Sequence, residues 1–371
     1  MKTRAAVLWG PGQDWKVEEV ELDAPGPGEV LVETKVSGMC HSDEHVVTGD
    51  MMMPHYPFVG GHEGAGEVVA VGDGVTTVAP GDHVSMSFIP SCGRCKWCMS
   101  GRSNLCDLGA KLFDVGMLRD GRMAHHCGDQ DLARFSQLGT FAEHMLVDES
   151  SVIKVEPDIP WHAVALVSCG VATGFGSAMH RADVRPGDSV AVIGIGGVGI
   201  NAVQGAVAAG ATRVIAIDPV EFKREKAMEF GATHAYASID EAMAPINEIT
   251  WGEGCNKVIL TPGLMKGDLI DPALAITAKG GTVVVTAVAN MLDSQVSMNM
   301  FLLSMMEKEV KGCLFGSGNP RFDIPNLLMM YREGKLKLDE LVTRRYSLDE
   351  INQGYQDMRD GKNIRGVIDF T

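Results

Sequence analysis

The alternation of hydrophobic and polar positions changes character near residue 160. Before that point, the runs from Thr3 to Leu8 and from Glu29 to Ser37 alternate roughly residue by residue, which is the period of a half-buried strand. The sequence DAPGPGE between them favours a turn. The pattern then becomes helical over WHAVALVSCGVATGFGSAMH. We therefore expect a β-rich region first, followed by a region that mixes helices with strands.

The second region alternates between strand and helix patterns. Apolar runs predict strands at SVAVI, RVIAID, KVILT, TVVVTAV and EVKGCLFG, and helical patterns occur between them at EFKREKAMEFGA and DPALAITAKGG. Two amphipathic helical patterns and a last strand near IRGVIDF follow from residue 319 onward. Because strands separated by helices pair in parallel, we predict an α/β fold with a parallel, doubly wound sheet.

A glycine-rich turn joins the first of these strands to the next helix. In SVAVIGIGGVG, Gly194 permits the tight turn, Gly196 lets the backbone approach a pyrophosphate, and Gly199 lets the helix pack closely on the strand. The helix N-terminus presents N–H groups to the phosphates. Asp218 lies 19 residues beyond Gly199, where a carboxylate binds a ribose diol and repels a 2′-phosphate. This context is the Rossmann fingerprint and favours NAD, with a nucleotide-free or flavodoxin-like turn as the alternative.

Composition narrows the class of protein. A chain of 371 residues exceeds what one core usually holds, so we expect two domains. The formal charge of −16 argues against nucleic acid or an anionic membrane surface as the main partner. The first residues, MKTRAAVLWGPG, lack the apolar core of a signal peptide, and no apolar run reaches membrane-spanning length. We therefore expect a cytoplasmic protein whose nine cysteines are thiols or metal ligands.

Four cysteines form the clearest local pattern. Cys92, Cys95, Cys98 and Cys106 have the spacing C-x2-C-x2-C-x7-C. Four thiolates this close in sequence can complete a tetrahedron around Zn²⁺, which leaves no position for a substrate. An iron–sulfur cluster is the main rival, but its fourth cysteine usually comes sooner and precedes a proline. Disulfides or free thiols are the remaining alternatives.

The segment from residue 108 to 139 is irregular in pattern. A loop of this length in a compact domain usually has a function or lines an interface. It contains His125, His126 and Cys127, which look like metal ligands. We expect these three residues to lie at the surface or at an interface instead.

Five motifs are distributed along the whole chain: GMCHSDEH, GHEGAGEVVAVGDGV, CGRCKWCMSGRSNLC, VSCGVATGFGSA and GIGGVG. Together they resemble the zinc-dependent medium-chain alcohol dehydrogenases. Two further stretches, GDHVSMSFIPSCGRCKWC and IDPVEFKREKAMEFGATH, are most similar to the nicotinoprotein members that are assayed with N,N-dimethyl-4-nitrosoaniline. The resemblance implies a GroES-like β-rich catalytic domain with a structural-zinc lobe over residues 1–170, and a Rossmann domain over 171–314. Residues 315–371 would complete the catalytic domain, with the active site in the cleft between the two.

The resemblance also implies a second, catalytic zinc ion. Its ligands would be Cys40, His62 and Cys169, with a fourth position open to substrate. Glu63 resembles an alternate ligand or a residue just outside the ligand set. Asp43 resembles the carboxylate that fixes the tautomer of the histidine ligand. The cofactors expected are therefore two zinc ions and one NAD(H) per chain.

The expected reaction moves a hydride between a primary alcohol or its aldehyde and NAD. By resemblance, Ser42 takes the alcohol proton and passes it through the nicotinamide ribose to His45. Phe88 and Met51 are candidates for the substrate pocket. The cofactor residues implied are His41, Thr173, Gly194, Gly196, Gly197, Val198, Gly199, Asp218, Lys223 and Arg365.

Nicotinoproteins hold NAD(H) through turnover, so an external acceptor must remove the hydride. The resemblance suggests a dye in assays and a peptide-derived redox carrier such as mycofactocin in cells. A thiol-dependent formaldehyde dehydrogenase is one alternative, because Lys111, Arg119 and Arg122 could form a cationic site for a thiol adduct. A zinc-free NAD-binding protein with a structural or sensing role is another. We expect a homodimer or larger homo-oligomer that pairs through residues 300–315.

Overall fold

The structure, a computed structural model, describes all 371 residues, which form two compact units. Unit 1 consists of Met1–Cys169 and Asn319–Thr371, and unit 2 consists of Gly170–Gly318. The sequence analysis places these boundaries after residues 170 and 314. Unit 1 is therefore built from both ends of the chain.

Nineteen strands and eleven α-helices make up the two units. The strands are β1 (Lys2–Leu8), β2 (Lys16–Leu22), β3 (Glu29–Gly38), β4 (Phe58–Val59), β5 (Glu63–Val71), β6 (His83–Met86), β7 (His125–Cys127), β8 (Gln130–Asp131), β9 (Ala133–Arg134), β10 (His144–Asp148), β11 (Val152–Lys154), β12 (Ser189–Ile193), β13 (Arg213–Ile217), β14 (His234–Tyr236), β15 (Cys255–Leu260), β16 (Thr277–Val285), β17 (Glu309–Gly312), β18 (Val342–Tyr346) and β19 (Arg365–Asp369). The helices are α1 (His41–Thr48), α2 (Lys96–Met99), α3 (Trp161–Leu166), α4 (Ala172–Gly176), α5 (Gly197–Ala208), α6 (Glu221–Glu229), α7 (Ile239–Ile249), α8 (Ile270–Ala275), α9 (Met300–Met305), α10 (Pro320–Arg332) and α11 (Ile351–Arg359).

Unit 1 is β-rich and contains two sheets. One has the strand order β8-β7-β2-β1-β4-β9, and the other has the order β11-β6-β5-β3-β19-β18 with β10 also paired to β3. Strand β3 is almost continuously buried rather than alternating, and it pairs with β5, β10 and β19. The last strand of the chain therefore lies beside one of the first, which brings its residues next to the end of β3.

Strand β2 and the position of His125 differ from what the sequence predicts. The charged run KVEEVEL forms β2, which pairs with β1 and with β7. The expectation that His125 lies at the surface or at an interface is wrong, because His125 pairs with Leu22 inside the sheet and is buried. Its burial, reinforced by the positive charge of Arg134, lowers the pKa of His125 well below its usual value. A neutral imidazole can thus be accommodated inside the sheet.

Unit 2 contains one sheet of six parallel strands. Their order is β14-β13-β12-β15-β16-β17, and every strand pair in this sheet is parallel. The predicted doubly wound parallel sheet is therefore confirmed. One boundary differs: the helix predicted over DPALAITAKGG ends at Ala275, and Thr277 already begins β16. Here tertiary pairing with β15 extends the strand through residues whose local pattern is helical.

A continuous helical stretch from Trp161 to Arg181 connects strand β11 to β12. It is interrupted by two π-helical segments, Val167–Val171 and Ser177–Arg181. This helix is long and apolar enough to cross a membrane, but 89% of its most apolar window is buried inside the protein. Its apolar character is thus accounted for by a position in the core.

Candidate metal centres and dinucleotide loop

Four buried side chains of unit 1 form a cluster of metal-ligand type. Cys40 immediately precedes α1, His62 and Glu63 lie at the start of β5, and Cys169 lies in the π-helical segment. Register explains part of this convergence, because Gly38 at the end of β3 pairs with Glu63. One ligand atom from each side chain lies within 4.8 Å of all the others. The structure thus brings Cys169 together with three side chains that lie more than a hundred residues before it in the sequence.

The chemistry of this cluster fits a zinc ion. Two thiols, an imidazole and a carboxylate are all donors that Zn²⁺ accepts. The Nε2 atom of His62 and the Oε1 atom of Glu63 are buried and make no hydrogen bond. Buried polar atoms without partners are rare in folded proteins, and here they lie where a cation would satisfy them.

Asp43 holds the imidazole of His62 in position. One carboxylate oxygen, Oδ1, accepts a hydrogen bond of 2.9 Å from the backbone N–H of Gly61, and Oδ2 lies 3.0 Å from His62 Nδ1. Burial of His62 opposes its charged form, but the interactions with Asp43 and with Cys40 together outweigh burial and raise the pKa of His62 well above its usual value. With Nδ1 facing a carboxylate, Nε2 is the nitrogen left for a metal.

Glu63 is tied to the last strand of the chain by a buried ion pair with Arg365. Burial raises the pKa of Glu63 to about 7, although the guanidinium of Arg365 opposes this shift. The pair depends on a glycine, because a Cβ atom at Gly38 would lie 2.2 Å from Glu63 Oε2. The Nε atom of Arg365 is buried without a hydrogen-bond partner. The predicted contact between Arg365 and a cofactor phosphate stays a prediction.

The two thiols of the cluster interact with each other and with Ser42. The hydrogen bond with Cys169 lowers the pKa of Cys40 well below its usual value, and the same contact raises the pKa of Cys169. The Sγ atom of Cys40 lies 3.7 Å from Ser42 Oγ. Ser42 is thus next to the cluster, as a residue that receives a substrate proton would be.

His45 lies one helical turn further along α1 and is buried. Its Nδ1 atom is 3.5 Å from Asp50 Oδ2, and its ring centroid is 6.3 Å from that of His41. The predicted proton relay through His45 and the predicted cofactor contact of His41 stay predictions.

Two aromatic rings pack against His62. Phe88 lies edge-on with its centroid 5.7 Å from the imidazole, and Phe135 does so at 5.4 Å. Phe88 is predicted from the sequence, whereas Phe135, which follows strand β9, shows no local signal of this contact. Met51 packs on the core cluster that contains Trp15 and Phe58, and its backbone N–H bonds to the carbonyl of His45. The substrate-pocket roles of Phe88 and Met51 stay predictions.

The segment from residue 92 to 106, which we call the four-cysteine lobe, has the geometry of a tetrahedral site. Four sulfurs at about 2.3 Å from a zinc ion lie about 3.8 Å from one another. In the structure, the sulfurs of Cys92 and Cys98 are 3.9 Å apart, and those of Cys95 and Cys106 are 4.0 Å apart. Backbone N–H groups of Cys92, Cys95 and Cys98 each lie 3.4–3.5 Å from a cysteine sulfur. These amides stabilise thiolates, so the lobe fits a structural zinc ion.

The glycine-rich loop has the shape that its pattern predicts. Gly194 adopts a φ of +91°, and a Cβ atom there would lie 2.5 Å from the carbonyl oxygen of Thr261. A Cβ at Gly196 would meet nothing within 4 Å, which leaves room for a ligand. A Cβ at Gly199 would lie 1.9 Å from the carbonyl oxygen of Gly194, so only glycine allows α5 to approach β12 this closely. Helix α5 begins at Gly197, directly after the open position.

The remaining cofactor candidates of unit 2 are Asp218, Lys223 and Thr173. Asp218 follows β13 and is buried, and Lys223 lies in α6 near its start. Thr173 lies in α4, which contacts α5 so closely that a Cβ at Gly174 would lie 2.1 Å from the carbonyl oxygen of Val198. The hydroxyl of Thr173 is buried without a partner.

Comparison with known proteins agrees with this geometry. The sequence model of one protein family, the alcohol dehydrogenase GroES-like domain, matches residues 26–157. The sequence model of a second family, the zinc-binding dehydrogenases, matches residues 197–332. An NDMA-dependent alcohol dehydrogenase from Amycolatopsis methanolica is 53% identical over 99% of each chain. The chain belongs to the zinc-dependent medium-chain alcohol dehydrogenases.

Other members of this alcohol dehydrogenase family are also similar over the full length. Alcohol dehydrogenase B of Mycobacterium tuberculosis is 51% identical over 100% of this chain and 99% of its own. The structure of a benzyl alcohol dehydrogenase from Acinetobacter calcoaceticus superposes with a TM-score of 0.92, at 31% identity and with full coverage of both chains. The predicted family, the GroES-like and Rossmann fold and the assignment as an NAD-dependent zinc oxidoreductase are thereby confirmed.

Proposed function

We propose that this alcohol dehydrogenase oxidises primary alcohols at a zinc ion held by Cys40, His62 and Cys169, and keeps its NAD(H) bound through turnover. The observation that carries the catalytic part is the buried cluster whose ligand atoms lie within 4.8 Å of one another. The four-cysteine lobe would hold the second, structural zinc. Glu63 would act as an alternate ligand or support the site from outside the ligand set.

The chain's own residues would prepare the site for this reaction. When bound, zinc lowers the pKa of an alcohol and NAD supplies the hydride acceptor. Asp43 keeps the proton of His62 on Nδ1, so that Nε2 stays available as a ligand. Ser42 would accept the substrate proton at Oγ, and His45 would carry it onward. Phe88 would exclude water on one side of His62.

Retention of the coenzyme is supported by similarity and by the glycine loop. The relative from Amycolatopsis methanolica carries the description NDMA-dependent, which names an artificial acceptor rather than free NAD. If this chain behaves alike, the hydride leaves through an external acceptor while NAD(H) stays bound. The residues that would hold the dinucleotide are His41, Thr173, Gly194, Gly196, Gly197, Val198, Gly199, Asp218, Lys223 and Arg365.

The structure does not favour the thiol-dependent formaldehyde dehydrogenase. The substrate of such an enzyme is an adduct of formaldehyde with a thiol. If that thiol carries carboxylates, its binding needs cationic side chains of the 108–139 segment that are not already paired with acidic residues. Arg119 instead bonds to Asp148 at 2.6 Å and to Glu149 at 2.8 Å, and Arg122 pairs with the buried Glu29 at 2.7 Å. A zinc-free NAD-binding protein with a sensing role would not need either cluster of metal ligands.

We also propose a homodimer in the cytoplasm. Strand β17 is the edge of the unit 2 sheet and pairs only with β16. In the segment that precedes this strand in the sequence, large apolar side chains are exposed, among them Leu292, Phe301 and Met305. An unpaired edge with apolar neighbours favours pairing with a second chain.

The deciding experiment measures metal and nucleotide in purified, extensively dialysed protein. Two zinc ions and about one NAD(H) per chain, the latter released by denaturation, are expected. Turnover of a primary alcohol should then require an external acceptor and release no stoichiometric NADH. Two zinc ions without nucleotide would contradict retention of NAD(H) and would indicate an ordinary dehydrogenase that exchanges NAD with the solution. One zinc ion or none would contradict the proposed catalytic cluster.

A further inference from the structure

One peptide group of the glycine loop is hydrogen-bonded to side chains at both its N–H and its carbonyl oxygen. The N–H of Ile195 donates to Asp218 Oδ2 at 2.7 Å, and the carbonyl oxygen of Gly194 accepts from the Thr261 hydroxyl at 2.7 Å. These two atoms belong to the same peptide unit, the one between Gly194 and Ile195. The two side chains come from the strands on either side of β12, since Asp218 follows β13 and Thr261 follows β15.

The surroundings of this peptide leave it little freedom. The other carboxylate oxygen of Asp218 accepts from the N–H of Val220 at 2.9 Å, and Arg224 donates to the carbonyl oxygens of Asp218 and Pro219, each at 2.8 Å. Asp218 is therefore fixed at both its side chain and its backbone. Thr261 is also buried, and its N–H bonds to the carbonyl oxygen of Ile193 at 2.8 Å.

The orientation of this peptide determines where the next amides point. Gly196 follows it directly, and α5 begins one residue later. The N–H groups at the start of that helix are the ones a pyrophosphate would bind. A loop that is already ordered loses less conformational freedom when a ligand binds, and this raises the affinity.

We propose that Thr261 is a positioning residue for the dinucleotide, acting with Asp218 to hold the Gly194–Ile195 peptide in its binding orientation. Thr261 lies outside the glycine motif, so the motif alone does not identify it. The proposal rests on the proposed function, because it accounts for retained NAD(H) by an ordered loop and not by contacts to the coenzyme alone.

The test replaces the hydroxyl by a methyl group of similar size, Thr261→Val. The variant should lose retained NAD(H) on dialysis and bind added NAD about tenfold more weakly, because the carbonyl of Gly194 loses its buried donor. Thr261→Ser keeps the hydroxyl and should restore binding. Thr277→Val is the matched control, since Thr277 is a buried threonine of the same unit whose hydroxyl bonds to the carbonyl oxygen of Ala273 at 2.7 Å.

Two readouts separate this inference from the proposed function. The affinity of nucleotide-stripped protein for NAD is measured by calorimetry, and the thermal midpoint reports general stability. Equal affinities of Thr261→Val and wild type, or an equal loss in Thr277→Val, would overturn the role of Thr261. If wild type itself releases its coenzyme on dialysis, retention fails as a function, while a weaker affinity confined to Thr261→Val still supports the positioning role.

Discussion

The buried pair of Asp43 and His62 shows how one neighbour defines the chemistry of a ligand. Asp43 Oδ1 is occupied by the Gly61 amide, so only Oδ2 faces the imidazole. A carboxylate at Nδ1 requires the proton to be there, and the lone pair of His62 must then lie on Nε2. The tautomer of this proposed zinc ligand is thus determined by Asp43, which lies outside the proposed ligand set.

Asp43→Asn should reverse this choice. Its side-chain oxygen can still accept from Gly61, but its amide would donate to Nδ1 and place the proton of His62 on Nε2. We expect the affinity for the catalytic zinc to fall by about 10- to 100-fold. Zinc per chain after dialysis against a chelator should drop from two to one. Glu44→Gln, a buried neighbour that pairs with Arg359 instead, should keep both ions. If the Asp43→Asn protein also keeps both zinc ions, Asp43 does not determine the tautomer of His62 that binds zinc.

His125 is a second residue whose surroundings define its charge. Its pKa is lowered by burial and by Arg134, so the folded protein binds this proton less tightly than the unfolded chain does. The stability that the neutral ring contributes is complete above a pH of about 6.5, the ordinary pKa of histidine, and is lost as the pH falls below it.

We expect this loss of stability to be measurable as the slope of the free energy of unfolding against pH. Below pH 6.5, the free energy of unfolding of wild type should fall by up to about 1.4 kcal/mol per pH unit more than that of His125→Asn, which has no proton to gain. Denaturant unfolding at several pH values between 7.5 and about 5.5 would give both curves. Parallel curves would show that folding does not lower the pKa of His125.

Among the elements, the four-cysteine lobe stands apart because its helix packs against no hydrophobic core. Helix α2 has only four residues and buries none of them. The cation–π contacts of Lys96 and Arg102 with Trp97 are modest. We therefore infer that ligation to zinc supplies the folding free energy of this element.

Cys98→Ala should unfold the lobe without emptying the other cluster. The expected result is the loss of about one zinc ion per chain, with rapid proteolytic cleavage between residues 92 and 111 and a lower thermal midpoint. Cys127→Ala, which removes a cysteine outside both clusters, should retain both ions. A Cys98→Ala protein that resists proteolysis as wild type does would show that the lobe folds without its metal.

At the scale of the whole molecule, exposed apolar surface is unevenly distributed. Between residues 291 and 305 it includes Leu292, Val296 and Phe301, close in sequence to the edge strand β17. A formal charge of −16 favours separate chains, so self-association would need such an apolar surface.

Phe301→Asp should therefore convert the proposed dimer into monomers, as measured by analytical ultracentrifugation. Phe322→Asp is its control, because both side chains are 64% exposed and Phe322 lies on α10 in unit 1. A charge in the centre of an apolar interface costs about 2 kcal/mol or more per chain. If both variants sediment as wild type does, the 291–305 surface is not the interface.

Local signals in the sequence were enough to identify the four-cysteine lobe and the glycine loop. Their residues are close along the chain, so spacing alone specifies the geometry, as Gly194, Gly196 and Gly199 illustrate. The parallel sheet also followed from the order of apolar runs. The cluster of Cys40, His62 and Cys169, proposed as the catalytic site, was predicted only by resemblance, because nothing in the local sequence unites residues so far apart.

Contacts between distant segments decided the rest. Pairing of β19 with β3 brings Arg365 to Glu63, and the burial of His125 depends on a strand, β2, whose charged sequence hides its pattern. Phe135 and Thr261 have no signal in their own neighbourhoods. Their roles come from packing against His62 and from a hydrogen bond to Gly194, and such long-range contacts exist only once the chain has folded.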